Sequence, residues 1–460
     1  MKDKISRRGF LKLSAATAAG LATPAFLSAC GPTPSPTAAP TAAPTIAPTA
    51  AATTAPQEVT FSLWYRYFWE PVKTVFEGFV DQFQQKNPNI TIEKNLFGDE
   101  DYKSTIKVAM ASDDPPDLFY GYGGNWLKFL VEEGLVAELS SYYDQYRWKD
   151  RLVDLAADVI TIGGKYYSVP TEICTAGIYY NKSIFQQVGI EPPEVVTWDE
   201  FLGYCDQIKA AGFQPLCLGN KEGCWIQWWW DYAVVRELGN DYRKQVVRGE
   251  VPLNDKGVLA ALDRIMTDIF FTPKGYMNTG INGLDIFGWL GLMASGTVGM
   301  TLVHSFVPPQ VIVAMMEKPF ELGFFIYPQV HKEVPIANDL YVEGVQCISA
   351  KNPAPDEGAK WLDFIISPEV QSAWAATSFM PTVRGTEDSL PDLTKQIYAV
   401  VKQYDSFAHL DLEFHPEVVT AIFSNLQAVL DGSQTVQQAM DNAQKVAETV
   451  PWVGVPQGEA

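Results

Sequence analysis

Val59-Thr60-Phe61-Ser62-Leu63-Trp64 alternates in the way of a half-buried strand, and Val72, Val75, Phe76, Phe79, Val80 and Phe83 then recur at helical spacing. Asn87-Pro88-Asn89 stops that helix, and Ile90-Thr91-Ile92-Glu93 reads as the next strand. A second helix, centred on Ile106, Ala109 and Met110, leads through Pro115-Pro116-Asp117 into a third strand, Leu118-Phe119-Tyr120. Strand, helix, strand, helix, strand in this order predicts a parallel sheet covered by helices, the α/β class. Ligands on such sheets bind beyond the carboxyl ends of the strands. That directs attention to Tyr65-Arg66 after the first strand, and to Tyr120, Tyr122, Asn125 and Trp126 after the third; Trp64, which ends the first strand, joins Arg66 and these four among the candidate ligand residues. Three of them have a second reading. Trp64 can close the core under its strand, Trp126 can pack on its own helix, and Asn125 can cap that helix.

Further along, the chain carries Glu133-Gly134-Leu135, Gly164-Lys165-Tyr166-Tyr167-Ser168-Val169-Pro170 and Ile178-Tyr179-Tyr180-Asn181-Lys182. Thr197-Trp198-Asp199-Glu200-Phe201 has the threonine and the glutamate three residues on that make a capping box. Ser295-Gly296-Thr297-Val298-Gly299-Met300, Glu321-Leu322-Gly323-Phe324-Phe325 and Ala359-Lys360-Trp361-Leu362-Asp363-Phe364-Ile365 follow, the last leading to Ser367-Pro368-Glu369. In this joint order the pieces resemble the bacterial extracellular solute-binding proteins that serve ABC sugar importers, the maltose-binding type. The resemblance implies a two-lobed periplasmic-binding-protein-like fold with a ligand cleft between lobes. It implies a first lobe of 58–175 plus 328–366 and a second of 176–327 plus 367–450. It also implies a receptor, not an enzyme, that is monomeric and passes its ligand to permease subunits. Phe306 stands at the family's ring position, and Tyr341 and Glu343 in the loop returning to the first lobe. The chain departs from the family at His304-Ser305-Phe306, where a glycine shortly before a tryptophan is common, so the ring here is smaller.

Upstream, Ser6-Arg7-Arg8-Gly9-Phe10-Leu11-Lys12 looks like a twin-arginine export signal, whose cargo travels folded. Leu13 to Ala29 is alanine-rich and interrupted by Gly20 and Pro24, a poor recipe for a permanent membrane helix. Leu27-Ser28-Ala29-Cys30 resembles a lipobox, which implies a diacylglycerol on Cys30 and anchorage to the cell membrane by that lipid alone. Residues 1–30 are thus expected to be a leader. Residues 31–57 hold seven Pro, nine Ala and seven Thr without a charge. They suit an extended tether reaching roughly 80 Å at about 3.1 Å per residue.

The formal net charge is −20, and the leader is positive, so the remainder is more acidic still. Such a surface repels phosphate backbones, which excludes nucleic-acid binding, and it argues against adhesion to anionic lipid. The sequence contains no GxxxxGK[ST], HExxH or GxSxG motif, and its four histidines, His304, His331, His409 and His415, lack ligand spacing. No metal and no cofactor is expected. The cysteines form no CxxC pair; Cys217 and Cys224 are close enough to be bridged, or all can be buried thiols.

Cys224-Trp225-Ile226-Gln227-Trp228-Trp229-Trp230-Asp231-Tyr232 is the least ordinary stretch. As a helix it puts Trp225, Trp228, Trp229 and Tyr232 on one face and Ile226, Trp230 and Ala233 on another. Flat rings suit the C–H faces of pyranoses, so at least one of the candidate ligand residues Trp225, Trp228 and Trp229 is expected to stack on a sugar ring and Trp230 to pack in the core, the other reading being an aromatic helix packed wholly inside. Glu172, after Val169-Pro170, is a hydroxyl acceptor or an exposed hinge charge. Asp285 is a cleft-edge acceptor or a helix cap. The expected ligand is a mono- or oligosaccharide. Two rivals remain at this point: a polyamine or quaternary amine caged by aromatic rings, and a lipid-anchored carbohydrate enzyme.

Overall fold

The structure is a computed structural model that describes residues 58–67 and 69–459. The leader, the tether and Cys30 lie outside the described residues. Eleven strands are present among them: β1 (Val59–Tyr67), β2 (Ile90–Gly98), β3 (Leu118–Tyr122), β4 (Thr161–Ile162), β5 (Lys165–Tyr166), β6 (Val169–Asn181), β7 (Gln214–Cys217), β8 (Val298–His304), β9 (Leu322–Phe325), β10 (Ala337–Ile348) and β11 (Asp405–Phe407). The main sheet runs β2-β1-β3-β10-β6-β8-β7. β1 is parallel to β2 and to β3, as the opening stretch predicts. The helix Glu70–Lys86 buries Val72, Phe76, Phe79, Val80 and Phe83 against it. Thr197 and Glu200 form the predicted capping box, with Glu200 accepting from the Thr197 backbone N–H at 2.8 Å.

Two long strands carry the chain between lobes. β6 pairs with β10 from Val169 to Thr175 and changes partner at Ala176, pairing with β8 from there to Tyr180. β10 pairs with β11 over Ala337–Asp339, and with β6 and β3 from Leu340 onward. The handover thus lies at Thr175/Ala176 on one strand and Asp339/Leu340 on the other. Within 328–336, Gln329 and His331 contact elements of 176–327. Trp198 N–H donates to Gln329 O at 2.8 Å, and His331 lies 2.7 Å from Glu237. Tyr327, the last residue of this part of the expected second lobe, stacks on Tyr232 at 4.6 Å.

The stretch after 366 makes its first contacts with elements of 58–175. Trp374 packs against Phe76 and Phe79, and Gln371 donates to the Thr171 carbonyl and accepts from Thr382 N–H. Met380 pairs with Ile173. Residues 368–383 therefore pack on elements of 58–175, because the apolar face of Pro368–Ala375 finds its complement on the first-lobe helix.

The helix Gln227–Leu238 is buried on every side from Gln227 to Arg236. It begins after Trp225, so Trp225 lies in the preceding loop rather than on a shared helical face. Cys217 is a buried free thiol facing the Met300 carbonyl, and the short bridge to Cys224 is not formed. Among the described residues no helix is long and apolar enough to cross a membrane.

Candidate functional site

β1 delivers Arg66 to the first-lobe wall. Its Nη2 donates to Tyr120 Oη at 2.7 Å and to Glu343 Oε1 at 2.9 Å, and lies 3.5 Å from Glu172 Oε2. The guanidinium sits 4.8 Å from the Tyr120 ring centroid and 5.7 Å from that of Tyr122. Tyr65 donates to Glu172 at 2.9 Å and Tyr120 to the same carboxylate at 3.3 Å. Burial pushes Glu172 up to about 7, helped by Glu343 and opposed by Arg66. The backbone must come close here: a Cβ on Gly344 would stand 2.7 Å from the Tyr120 hydroxyl and 2.9 Å from the Glu172 carboxyl carbon.

The opposite wall is built from three separate stretches. Trp225 donates its indole N–H to Glu222 at 2.8 Å, and Asn220 accepts from Ile226 N–H, which fixes the loop before the helix. β8 ends at His304, which is 3.2 Å from the Tyr341 hydroxyl and has the Trp228 ring edge-on at 4.2 Å. The segment around 409–413 supplies the third part. His409 lies with Nε2 2.9 Å from Asp411 and Nδ1 3.5 Å from Asp339. Burial works against its imidazolium, but Asp411 and Asp339 outweigh it and hold the group well above the ordinary histidine range. Fully buried Arg243 pins this segment by ion-pairing with Asp231 and Glu413 and donating to Ala408 O at 2.6 Å. Asp231 also accepts from Leu410 N–H, and Gln227 from Asp411 N–H.

These walls enclose a cavity of about 270 Å³. It is lined from the first lobe by Arg66, Lys107, Tyr122, Trp126 and Glu343, and opposite them by Glu222, Trp225, Gln227, His304, Phe306, His409 and Asp411. Pro416, Val419, Thr420 and Phe423 of the helix Pro416–Leu430 cover one side.

Six of the sequence candidates therefore reach the cavity: Arg66, Tyr122, Trp126, Trp225, Phe306 and Glu343. Eight do not line it. Tyr120 and Glu172 stand behind Arg66 as its buried partners. Trp64 packs on Phe97 at 5.0 Å, and Asn125 donates to the Glu413 carbonyl. Asp285 caps the helix Ile286–Ala294 through Gly288 N–H at 2.8 Å. Tyr341 lies beneath His304 and meets the His409 ring edge-on at 4.2 Å. Trp228 backs His304, while Trp229 packs edge-on to Phe270 and Tyr327 in the second-lobe core. Trp230 is core, as expected, against Phe414. Of the three candidate tryptophans only Trp225 lines this cavity, because the helix that carries Trp228 and Trp229 has no free face. Of the residues not anticipated, His304 opens the His-Ser-Phe triplet and Gln227 lies within the tryptophan-rich stretch, whereas His409 and Asp411 carry no local signal. Among the described residues no group of three or more His, Cys, Asp or Glu is set to hold a metal ion.

A two-lobed α/β scaffold joined by crossing strands, with aromatic and polar side chains from both lobes around one cleft, defines a solute-binding architecture. Residues 69–372 match the family model of the bacterial extracellular solute-binding proteins, and the chain belongs to that family. Its members bind a solute and are not enzymes. Residues 4–24 match the twin-arginine translocation signal. The chain is 23% identical over 307 residues to an uncharacterised ABC transporter extracellular-binding protein of Pyrococcus horikoshii, covering 66% of each. It is 24% identical over 264 residues to a multiple sugar-binding protein of Streptococcus mutans, covering 54% of this chain and 58% of the relative. The matches thus span less than two thirds of these relatives' lengths. A solved structure from work on xylan utilization by Caldanaerobius polysaccharolyticus superposes with a TM-score of 0.76 at 22% identity, covering 84% of this chain and 99% of the other. That likeness is one of fold.

Proposed function

We propose that the cleft captures a carbohydrate, a mono- or oligosaccharide, which the protein carries as a monomer to the permease subunits of an ABC importer. In this reading the exported protein is held at the membrane surface by a lipid on Cys30, and the tether of 31–57 gives it reach. The observation that carries the proposal is the composition of the cavity wall. Trp126 from one lobe and Trp225 and Phe306 from the other offer flat apolar faces. Glu343, Gln227, His304 and Asp411 stand beside them with oxygen and nitrogen atoms suited to hydroxyl edges. The relative from Streptococcus mutans that binds multiple sugars supports the same ligand class.

A quaternary amine fits this wall less well, because the carboxylates are already matched to cations or donors. Glu343 accepts from Arg66, Asp411 adjoins His409, and Glu222 accepts from Trp225. A neutral polyol needs no excess charge. The test is a thermal-shift screen of the processed protein against neutral saccharides and against choline and spermidine, since a ligand bound only by the folded state raises the melting temperature. Shifts with saccharides alone support the proposal. A shift confined to the cations removes it.

A further inference from the structure

Tyr232 joins the two strands that carry the chain between lobes. Its hydroxyl donates to the Ala176 carbonyl at 2.6 Å and accepts from Asp339 N–H at 3.2 Å. Those residues stand at the two handover points, Thr175/Ala176 on β6 and Asp339/Leu340 on β10. Thr175 adds a second tie, because its hydroxyl donates to the Asp339 carbonyl. Both backbone polar groups of Asp339 are thus held by side-chain hydroxyls. Packing leaves the Tyr232 hydroxyl little play. The ring is fully buried, stacks on Tyr327 at 4.6 Å with the planes 4° apart, and meets Phe407 edge-on at 5.4 Å. Burial pushes the hydroxyl above the ordinary tyrosine range, which keeps it protonated and able to donate. Neither Tyr232 nor Thr175 lines the cavity. Gln227, at the start of the helix that carries Tyr232, does line it, and cavity-lining His409 stands 3.5 Å from the Asp339 carboxylate.

A hydroxyl has one proton to give, so both Tyr232 bonds hold only while the Ala176 oxygen and the Asp339 nitrogen keep their separation. Rotation about the peptides at the crossings changes that separation. The geometry that satisfies the hydroxyl is one with the lobes in contact. Asn125, in the helix Gly124–Glu132, donates to the carbonyl of Glu413, which Arg243 fastens to the second lobe. Phe306 of the cavity wall stacks on Phe379 at 4.6 Å, and Phe379 lies parallel to Trp374, which packs on Phe79 of the first-lobe helix. We propose that Tyr232 and Thr175 form a clasp at the crossings that favours the closed cleft, making them positioning residues that raise ligand affinity without touching the ligand. A contact made better in one of two states shifts the balance towards that state by the difference and no more. Apparent affinity scales with the closed fraction, so every ligand gains by the same factor. That separates the clasp from a cavity residue such as Trp225, whose loss falls unequally on different sugars. The inference goes beyond the carbohydrate reading, since the clasp acts on closure whatever solute fills the cleft.

The test uses the full-length processed protein and its Tyr232→Phe and Thr175→Val variants. Each carries two fluorophores on genetically encoded residues at the exposed positions Val108 and Phe271, one in each lobe. Single-molecule energy transfer without ligand then reads the populations of closed and open molecules. Both variants should lower the closed-to-open ratio by about three- to tenfold, the worth of one net hydrogen bond. Calorimetric titration with maltose, lactose, cellobiose and raffinose should show one common loss of affinity for every sugar that the wild type binds. A folded variant with the wild-type distance distribution overturns the proposal, as does a loss of affinity that differs severalfold from sugar to sugar. Melting temperature shows which variants are folded, and if only one is, that one decides. If neither folds, the hydroxyls serve the fold and the proposal fails. Absence of binding by all four sugars bears on the carbohydrate reading alone, and the ligand-free distances still decide the clasp.

Discussion

Arg66 and Glu343, on β1 and β10, are joined at 2.9 Å with both side chains almost wholly buried. Removing one partner of such a pair costs about 3–5 kcal/mol, because a charge remains in the interior without its counter-ion. Arg66→Met should therefore lower the unfolding free energy by that amount in urea titrations. Arg66→Met combined with Glu343→Gln should recover part of it. A single mutant within 1 kcal/mol of wild type would show that water reaches the pair and screens it.

Stability should fall as pH rises from the acid side towards neutrality. Glu172 has an ordinary value of 4.5 and is pushed up to about 7 by burial; Asp231 is pushed from 3.8 to about 7 for the same reason. In this window the folded state holds more protons than the unfolded one. Each group thus stabilises the fold below its unfolded value, and that contribution is lost as pH rises through about 7. The slope is at most about 1.4 kcal/mol per pH unit per group. Glu172→Gln should flatten the profile between pH 4.5 and 7, as read by urea unfolding at a series of pH values. An unaltered slope in that variant assigns the titration elsewhere.

The tryptophans should separate by role. Trp225 lines the cavity, so Trp225→Ala should weaken saccharide binding by about 2 kcal/mol or more. That is roughly thirtyfold in affinity. Trp229 and Trp230 are core, and replacing either with alanine should destabilise the protein by about 3–5 kcal/mol. The surviving folded fraction should bind as the wild type does. Calorimetry and melting temperature on the same variants distinguish the outcomes, and wild-type affinity in Trp225→Ala would take that ring out of the site.

If the cleft closes over its ligand, rotation should occur at the two handover points, Thr175/Ala176 and Asp339/Leu340. Small-angle scattering should give a smaller radius of gyration at saturating ligand than without it. Identical curves would mean a rigid pocket.

Anchorage can be tested on Cys30. Cys30→Ala should move the exported protein from washed membranes to the soluble fraction, since no described helix is suited to hold it there. Replacing Arg7 and Arg8 together by lysine should block export, because the receptor reads guanidinium groups. Retention of Cys30→Ala in membranes, or normal export of the double mutant, would count against the respective motif.

The first three strands and their helices were legible because each has one buried face, and alternation or helical spacing records which. The tryptophan helix was not, because an element buried all round leaves no polar face to mark its orientation. Arg66 was found because the ends of strands are where such sheets place ligands, whereas Glu343 came from the family resemblance and lies within β10. Their buried partners Tyr120 and Glu172 looked the same in sequence, and only the packing behind Arg66 separates the two layers. His409 and Asp411 come from a stretch whose position is fixed by Arg243, a contact 165 residues away in sequence. The side of the cleft on which 368–383 packs is likewise decided by Trp374 meeting Phe76, which no local pattern records.

The strand order has a consequence of timing. β3 pairs with β10, and the first-lobe helix needs Trp374, so the lobe that begins at Val59 is incomplete until the last quarter of the chain has been made. Its sheet cannot close while the ribosome is still supplying the middle of the sequence, and loops of this length make such pairings slow. A chain built this way has reason to finish folding before it leaves the cell interior. The paired arginines at its start belong to the export route that accepts finished cargo, so topology and leader impose the same order of events.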